Sequence, residues 1–196
     1  MAETLPVTFT AGATGEWKIS QITAVTGASL ATAARLTVTE GAAAVAAVAA
    51  SATGPSATTD ADGWLLHGVV SHQHYTTAAE LAALNAVSPA LGRPSATLAS
   101  LNLITKSPAW WELAQDERRA IFEETSHHIR RSMDNLPAVA RRLHHSRDLG
   151  GPFDFLTWFE FAPADAAAFD DLLAALRGAK EWTYVEREVE VRLERA

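Results

Sequence analysis

Two histidines stand side by side in ETSHHI, residues 124–129. An imidazole can ligate a metal through a neutral ring nitrogen or carry a proton near neutral pH. The pair therefore poses a choice: either His127 or His128 does chemistry, or neither does. Thirteen positions after His128 comes Arg141, between Val139 and Leu143 on one alternate set of residues. A guanidinium stays charged in a pocket and donates to oxyanions. On a strand edge it is an ordinary solvated charge, and the pattern leaves both readings open. Cysteine is absent, so disulfides, thiolate nucleophiles and thiolate-bound zinc or iron–sulfur centres are excluded.

These side chains must be positioned by a chain of 196 residues, enough for one sizeable core or for two small subdomains sharing one. Hydrophobic residues make up 48% and charged residues 20%, which suits a soluble globular protein. The net charge is -7, and the arginines come in scattered pairs rather than a stripe, so no nucleic-acid partner is expected. The segment MAETLPVTFT lacks a basic region followed by an apolar one, and the longest apolar run, AAAVAAVAA (42–50), is too short to cross a bilayer. The expectation is a cytoplasmic protein with no membrane partner.

The second half of the chain has the clearer patterning. ATLASLNLITK reads as a strand, DERRAIFEETSHHIRRSMD (116–134) as one helix ended by Pro137, and ADAAAFDDLLAALRGA (164–179) as a helix with glycine near its end. PAVARRLHHSRD (137–148) and FDFLTWFEF (153–161) flank LGGP as a hairpin, and WTYVEREVEVRL (182–193) alternates as a last strand. The order strand, helix, strand, strand, helix, strand is the ferredoxin-like unit. In the first half, VTFTA and EWKISQITAV read as strands and ASLATAARL as a possible helix. GWLLHGVVSHQHY (63–75) reads as a strand followed by a helix, and the Ala-rich stretch 42–63 as a loop or low-complexity insertion. The predicted fold class is α+β, two ferredoxin-like units side by side on one broad antiparallel sheet. Residues 1–96 are expected to form a degraded N-terminal unit carrying the Ala-rich insertion, and 97–196 the C-terminal unit.

Helical phase separates the two histidines. With Ile121 at zero and about 100° per residue, the apolar face centres near about 60°; His128 falls at about -20° and His127 at about -120°. His128 is the inward ring. By phase alone, an inward histidine is more often a hydrogen-bonded core or boundary residue than a ligand. On the hairpin, Phe155, Thr157, Phe159 and Phe161 share one strand face, and Val139, Arg141 and Leu143 share one on its partner.

KSPAWWELAQDERRAIFEETSHHI, ARRLHHSRDLGGPFDFLTWFEF and KEWTYVEREVEVRL closely resemble the short-chain, dimeric branch of the chlorite dismutases. The match is dense from Lys106 to Leu193 and weaker in GEWKIS and WLLHGVVSH. The resemblance implies two ferredoxin-like units forming a dimeric α+β barrel, with haem bound by the C-terminal unit, and a haem b enzyme, a homodimer, that converts chlorite to chloride and dioxygen. It implies His128 as the proximal ligand of the haem iron and Glu181 as the carboxylate bonded to the other ring nitrogen. Arg141 is implied as the distal cation that attracts the small anionic substrate and holds the anionic leaving fragment. Thr157 and Phe159 are implied as distal walls, Lys106 and Trp110 as propionate contacts, and Trp111 as a residue packed beside the haem. Two other readings stay open. One is a related haem enzyme, a coproheme decarboxylase or peroxidase, the decarboxylases using a pocket tyrosine and lacking the distal arginine. The other is a non-haem dimeric α+β binding module in which His128 is structural.

Overall fold

Apolar residues at alternate strand positions build the barrel interior. In β1 (Pro6–Gly12) Val7, Phe9 and Ala11 are buried together, and β8 (Val185–Arg195) buries Val189, Val191 and Leu193 in the same cluster. The computed structural model describes residues 5–53, 63–71, 75–134 and 138–196. Part of the Ala-rich stretch, the end of the predicted strand 63–75 and Pro137 lie outside the described residues. The remaining strands are β2 (Trp17–Thr26), β3 (Arg35–Glu40), β4 (Trp64–Val70), β5 (Leu98–Lys106), β6 (Ala140–His145) and β7 (Phe155–Phe161). All pairings are antiparallel, and the sheet closes into a barrel in the order β1-β3-β2-β8-β5-β7-β6-β4. The protein is an α+β barrel.

Within the barrel each run of four strands has the same neighbour order, fourth, first, third, second: β4-β1-β3-β2 and β8-β5-β7-β6. The closures between the runs differ. β2 and β8 pair along most of their length, with two register shifts, whereas β4 and β6 share only Val69↔His145 and Val70↔His144. Unlike the second run, the first has no helix between its first two strands. A short turn through Gly15 replaces it, and a Cβ there would sit 2.4 Å from the Leu36 carbonyl oxygen at a φ of 151°, so the close approach requires glycine.

Two first-half expectations are corrected. The Ala-rich stretch is not a loop: Ala42–Thr53 form helix α1, the crossover between β3 and β4, which packs on β1 and β3. Residues 28–34 form no helix and lead extended into β3. The other helices are α2 (Ala78–Val87), α3 (Pro108–Glu112), α4 (Gln115–Arg119), α5 (His128–Met133) and α6 (Ala166–Arg177). α2 opens on a capping box in which Thr77 and Glu80 satisfy each other's backbone N–H. α6 lies over β7 and β8, with Phe169 packed on Phe159 and Phe161 and Arg177 paired with Glu188 and Glu190.

The single helix predicted over 116–134 is also corrected. After α4 the chain widens into a π-helical segment, Ala120–Thr125, and His127 then adopts a left-handed backbone with φ 53°. The helical phase used to rank the histidines does not run through this break. Thr125, expected on the apolar face, is exposed, and Ser126 is buried. His127 is exposed and His128 half-buried, so His128 is the inward ring, but the kink turns it there.

Candidate active site

On β6 and β7 the register sets Arg141 opposite Phe159, Leu143 opposite Thr157 and His145 opposite Phe155. All six side chains share the outer face of the sheet, because Leu156 and Trp158 occupy the barrel interior. β5 adds Asn102 beside Thr157 and Ile104 beside Phe155. These residues form one wall of a pocket enclosing about 1190 Å³ of atom-free space, its mouth included. The opposite wall comes from Trp110 of α3, Phe122 of the π-segment, His128 and Ile129 of α5, and Leu172, Leu173 and Leu176 of α6. Phe159 and Phe161 pack with Phe169 of α6 and prop the helix against the sheet.

The side chains of Glu181, His128 and Lys106 meet on the helical side. Glu181 stands in a 3₁₀ turn, Lys180–Tyr184, just before β8, and is 4% exposed. Its Oε2 lies 2.8 Å from His128 Nδ1, and its Oε1 accepts from Lys106 Nζ at 2.8 Å. Its backbone N–H donates to the Ser126 hydroxyl at 3.0 Å, tying the turn to the kink before His128. Burial pushes the Glu181 carboxyl up, but the charges and hydrogen bonds of His128 and Lys106 outweigh it and hold the pKa at about 2. A carboxylate is acceptor-only, so Nδ1 of His128 carries the proton. Nε2 makes no bond among the described residues, and His128 lines the pocket.

The sheet side holds one guanidinium. Arg141 is enclosed by the pocket walls, burial pulls its pKa down, and among the described residues no acceptor or carboxylate bonds to it. Its neighbour Arg142 points the other way and pairs with Glu40 at 2.6 Å. A guanidinium without a counter-charge is costly to bury, and this one lines an apolar pocket.

Of the residues picked out by sequence, His128, Glu181, Lys106, Arg141, Trp110, Thr157 and Phe159 all line this pocket. Trp111 does not. Its indole stacks on the far side of the Phe155 wall, donates to Asp154 at 3.3 Å and lies under the Arg147 guanidinium at 4.1 Å. Lys106, expected to reach a propionate, is 5% exposed and committed to Glu181. Asp154 also accepts the Lys106 backbone N–H at 2.7 Å, so this carboxylate positions both residues. Sequence reasoning missed Tyr75, Asn102, Phe122, Ser126 and Trp182. The repeated pairing of β5 with β7 could have pointed to Asn102; nothing local marks the others.

Among solved structures, the chain is 50% identical to the dimeric chlorite dismutase from Nitrobacter winogradskyi, over 97% of this chain and 99% of that one, with a TM-score of 0.84. The chain belongs to the chlorite dismutase family. Two mutant chlorite dismutases from Candidatus Nitrospira defluvii, 20% and 19% identical, share the chlorite dismutase fold with TM-scores of 0.65 and 0.67. They cover 98% and 100% of this chain, and 93% of each of theirs. No family model matches the chain, and no curated protein does. Among the described residues no helix is long and apolar enough to cross a membrane.

The donor set sets a condition on any iron held in this chlorite dismutase pocket. Among the described residues no three His, Cys, Asp or Glu side chains cluster to hold a metal ion. An iron on His128 Nε2 must therefore bring its other ligands with it, as a porphyrin does. The pocket is flat-walled by aromatic and aliphatic side chains, and the buried Trp110 indole N–H that lines it has no partner among the described residues. These residues fit a haem.

Proposed function

We propose that the chain is a haem b enzyme that converts chlorite to chloride and dioxygen, working as a cytoplasmic homodimer. The observation that carries this reading is the opposition of two groups across one apolar pocket: the carboxylate-bonded imidazole of His128 and the unpaired guanidinium of Arg141. His128 would hold the iron through Nε2, Trp110 would meet the edge of the macrocycle, and Thr157 and Phe159 would wall the substrate side. When bound, the haem supplies the redox chemistry at the chlorine–oxygen bond. Dimerisation is supported by the likeness to a dimeric relative.

The chain's own residues do the rest. Glu181 keeps the proton on Nδ1, which fixes the tautomer and makes the imidazole a stronger donor to a metal. Lys106 holds Glu181 in its ionised form and keeps its second oxygen from turning toward the ring. Arg141 draws a small oxyanion into an otherwise apolar space and retains any anionic fragment there until it is consumed. Phe159, Leu143 and Leu173 exclude water around that cation.

Tyr75 favours a second reading, a coproheme decarboxylase, because it lines the pocket. Its hydroxyl, however, accepts from Arg118 at 3.2 Å, and Arg141 occupies the sheet side, so the chlorite reading ranks first. Haem titration followed by absorption tests the site. A Soret band saturating at one haem per chain, kept in His127→Ala and lost in His128→Ala, is the expected result. No Soret band in the wild type would leave the non-haem binding module standing. Decarboxylation of added coproheme would favour the second reading.

A further inference from the structure

His128 opens a helix that should not hold its direction by itself. α5 has six residues, and it starts immediately after His127, whose φ of 53° is the one positive value at a non-glycine among the described residues. Before it the ladder is already widened, with the Ser126 N–H donating five residues back to Ile121 at 3.1 Å. A helix starting afresh after such a break leaves its first N–H groups without intrahelical acceptors, and the His127 side chain makes no capping bond.

One side chain supplies what is missing. The Glu123 carboxylate accepts the Ile129 N–H at 2.6 Å through Oε2 and the Arg130 N–H at 3.3 Å through Oε1. Its own carbonyl accepts the His127 N–H at 2.9 Å. Glu123 thus bonds to the chain on both sides of the kink. The residue before it, Phe122, lies on the His128 imidazole with ring centroids 4.3 Å apart and planes 21° apart. Glu181 fixes only one ring nitrogen, which leaves the imidazole free to swing about that bond if the first turn of α5 shifts.

We propose that Glu123 is a positioning residue for His128: its carboxylate clamps the first turn of α5 across the left-handed His127 and so sets where the imidazole points in the pocket. The consequence for an iron ligand rests on the haem reading above; the clamp and the ring orientation do not. A side chain that is merely a helix cap would stabilise α5 without changing the ring. A positioning residue moves the ring when it is removed, and small displacements of a ligand matter at a site of this kind.

The test uses Glu123→Ala and Glu123→Gln. Gln keeps one acceptor oxygen for one of the two amides. In the chain without haem, amide exchange at Ile129 and Arg130 should quicken at least about tenfold in Glu123→Ala and less in Glu123→Gln. The His128 ring-proton resonances, displaced by the stacked Phe122 ring, should collapse toward free-histidine positions in the Ala variant and be partly restored in the Gln variant. In the haem-loaded chain the ferrous iron–histidine stretching band should broaden and move in Glu123→Ala. Leu36→Ala, a cavity in the barrel core far from the kink, should leave that band unchanged despite a comparable loss of stability. Unchanged His128 ring resonances in Glu123→Ala, with or without faster amide exchange, would overturn the proposal. A wild type that takes up no haem would sink the functional reading instead, and the ring resonances would still decide this one.

Discussion

The two runs of four strands share one order and meet opposite fates on their outer faces. On the first, α1 lies directly on β1 and β3; Ala44 of the helix and Thr8 of β1 are fully buried, and the Thr8 hydroxyl has no partner among the described residues. On the second, helices are held off the sheet by large side chains, Phe159, Phe161 and Phe169 at one end and Leu172, Leu173 and Leu176 over the middle. The Ala-rich helix packs close and closes its face. The Leu- and Phe-bearing helix stands away and leaves a pocket above Arg141 and Thr157. Side-chain size at the helix–sheet contact, on a common topology, decides which half can take a ligand.

Four changes break or sharpen this comparison. The largest effect is expected in the open half, from Lys106→Met, which strips one partner from the buried Glu181 and should cost about 3–5 kcal/mol in denaturant unfolding. Next comes the barrel interior that both halves share. His144 is 2% exposed, donates from Nδ1 to the Leu156 carbonyl and leaves Nε2 unpartnered; burial pulls its pKa down to about 4. The unfolded chain protonates this ring near pH 6.5 while the folded chain resists until about pH 4. Stability should therefore fall by roughly 3 kcal/mol as pH drops through that window. His144→Phe should flatten that slope in urea titrations at several pH values. Arg141→Ala should lower kcat/KM for chlorite about 100-fold, near 2.7 kcal/mol, without loss of haem, and Arg141→Lys should fall between, since it keeps the charge and loses the fork. The smallest effect is expected in the closed half. Ala44→Leu should overpack the α1 contact at about 1–3 kcal/mol, whereas the exposed Val45→Lys should change the melting temperature little.

The site strands were legible in the sequence because each has one face in the barrel core. Phe155, Thr157 and Phe159 separate cleanly from Leu156 and Trp158, and the observed register keeps them apart. Arg141 could be placed on the right face but not assigned, since a strand pattern does not say whether a helix covers that face or stands off it. α1 was illegible because a helix of alanines carries no apolar stripe to give a period. The kink at His127 was illegible for a different reason: a left-handed backbone at a non-glycine is held by distant partners, here Glu123 and the Ser126–Glu181 bond, and local propensity argues against it. His128 was chosen by a phase that the π-segment breaks.

His128 and Arg141 line one pocket, and the chlorite reaction proposed for it is read most directly from product stoichiometry with the haem-loaded chain and no added electron donor, using an oxygen electrode together with chloride analysis. One dioxygen and one chloride per chlorite consumed is the expected result. Chlorite consumed without dioxygen, or only after an electron donor is supplied, would contradict it.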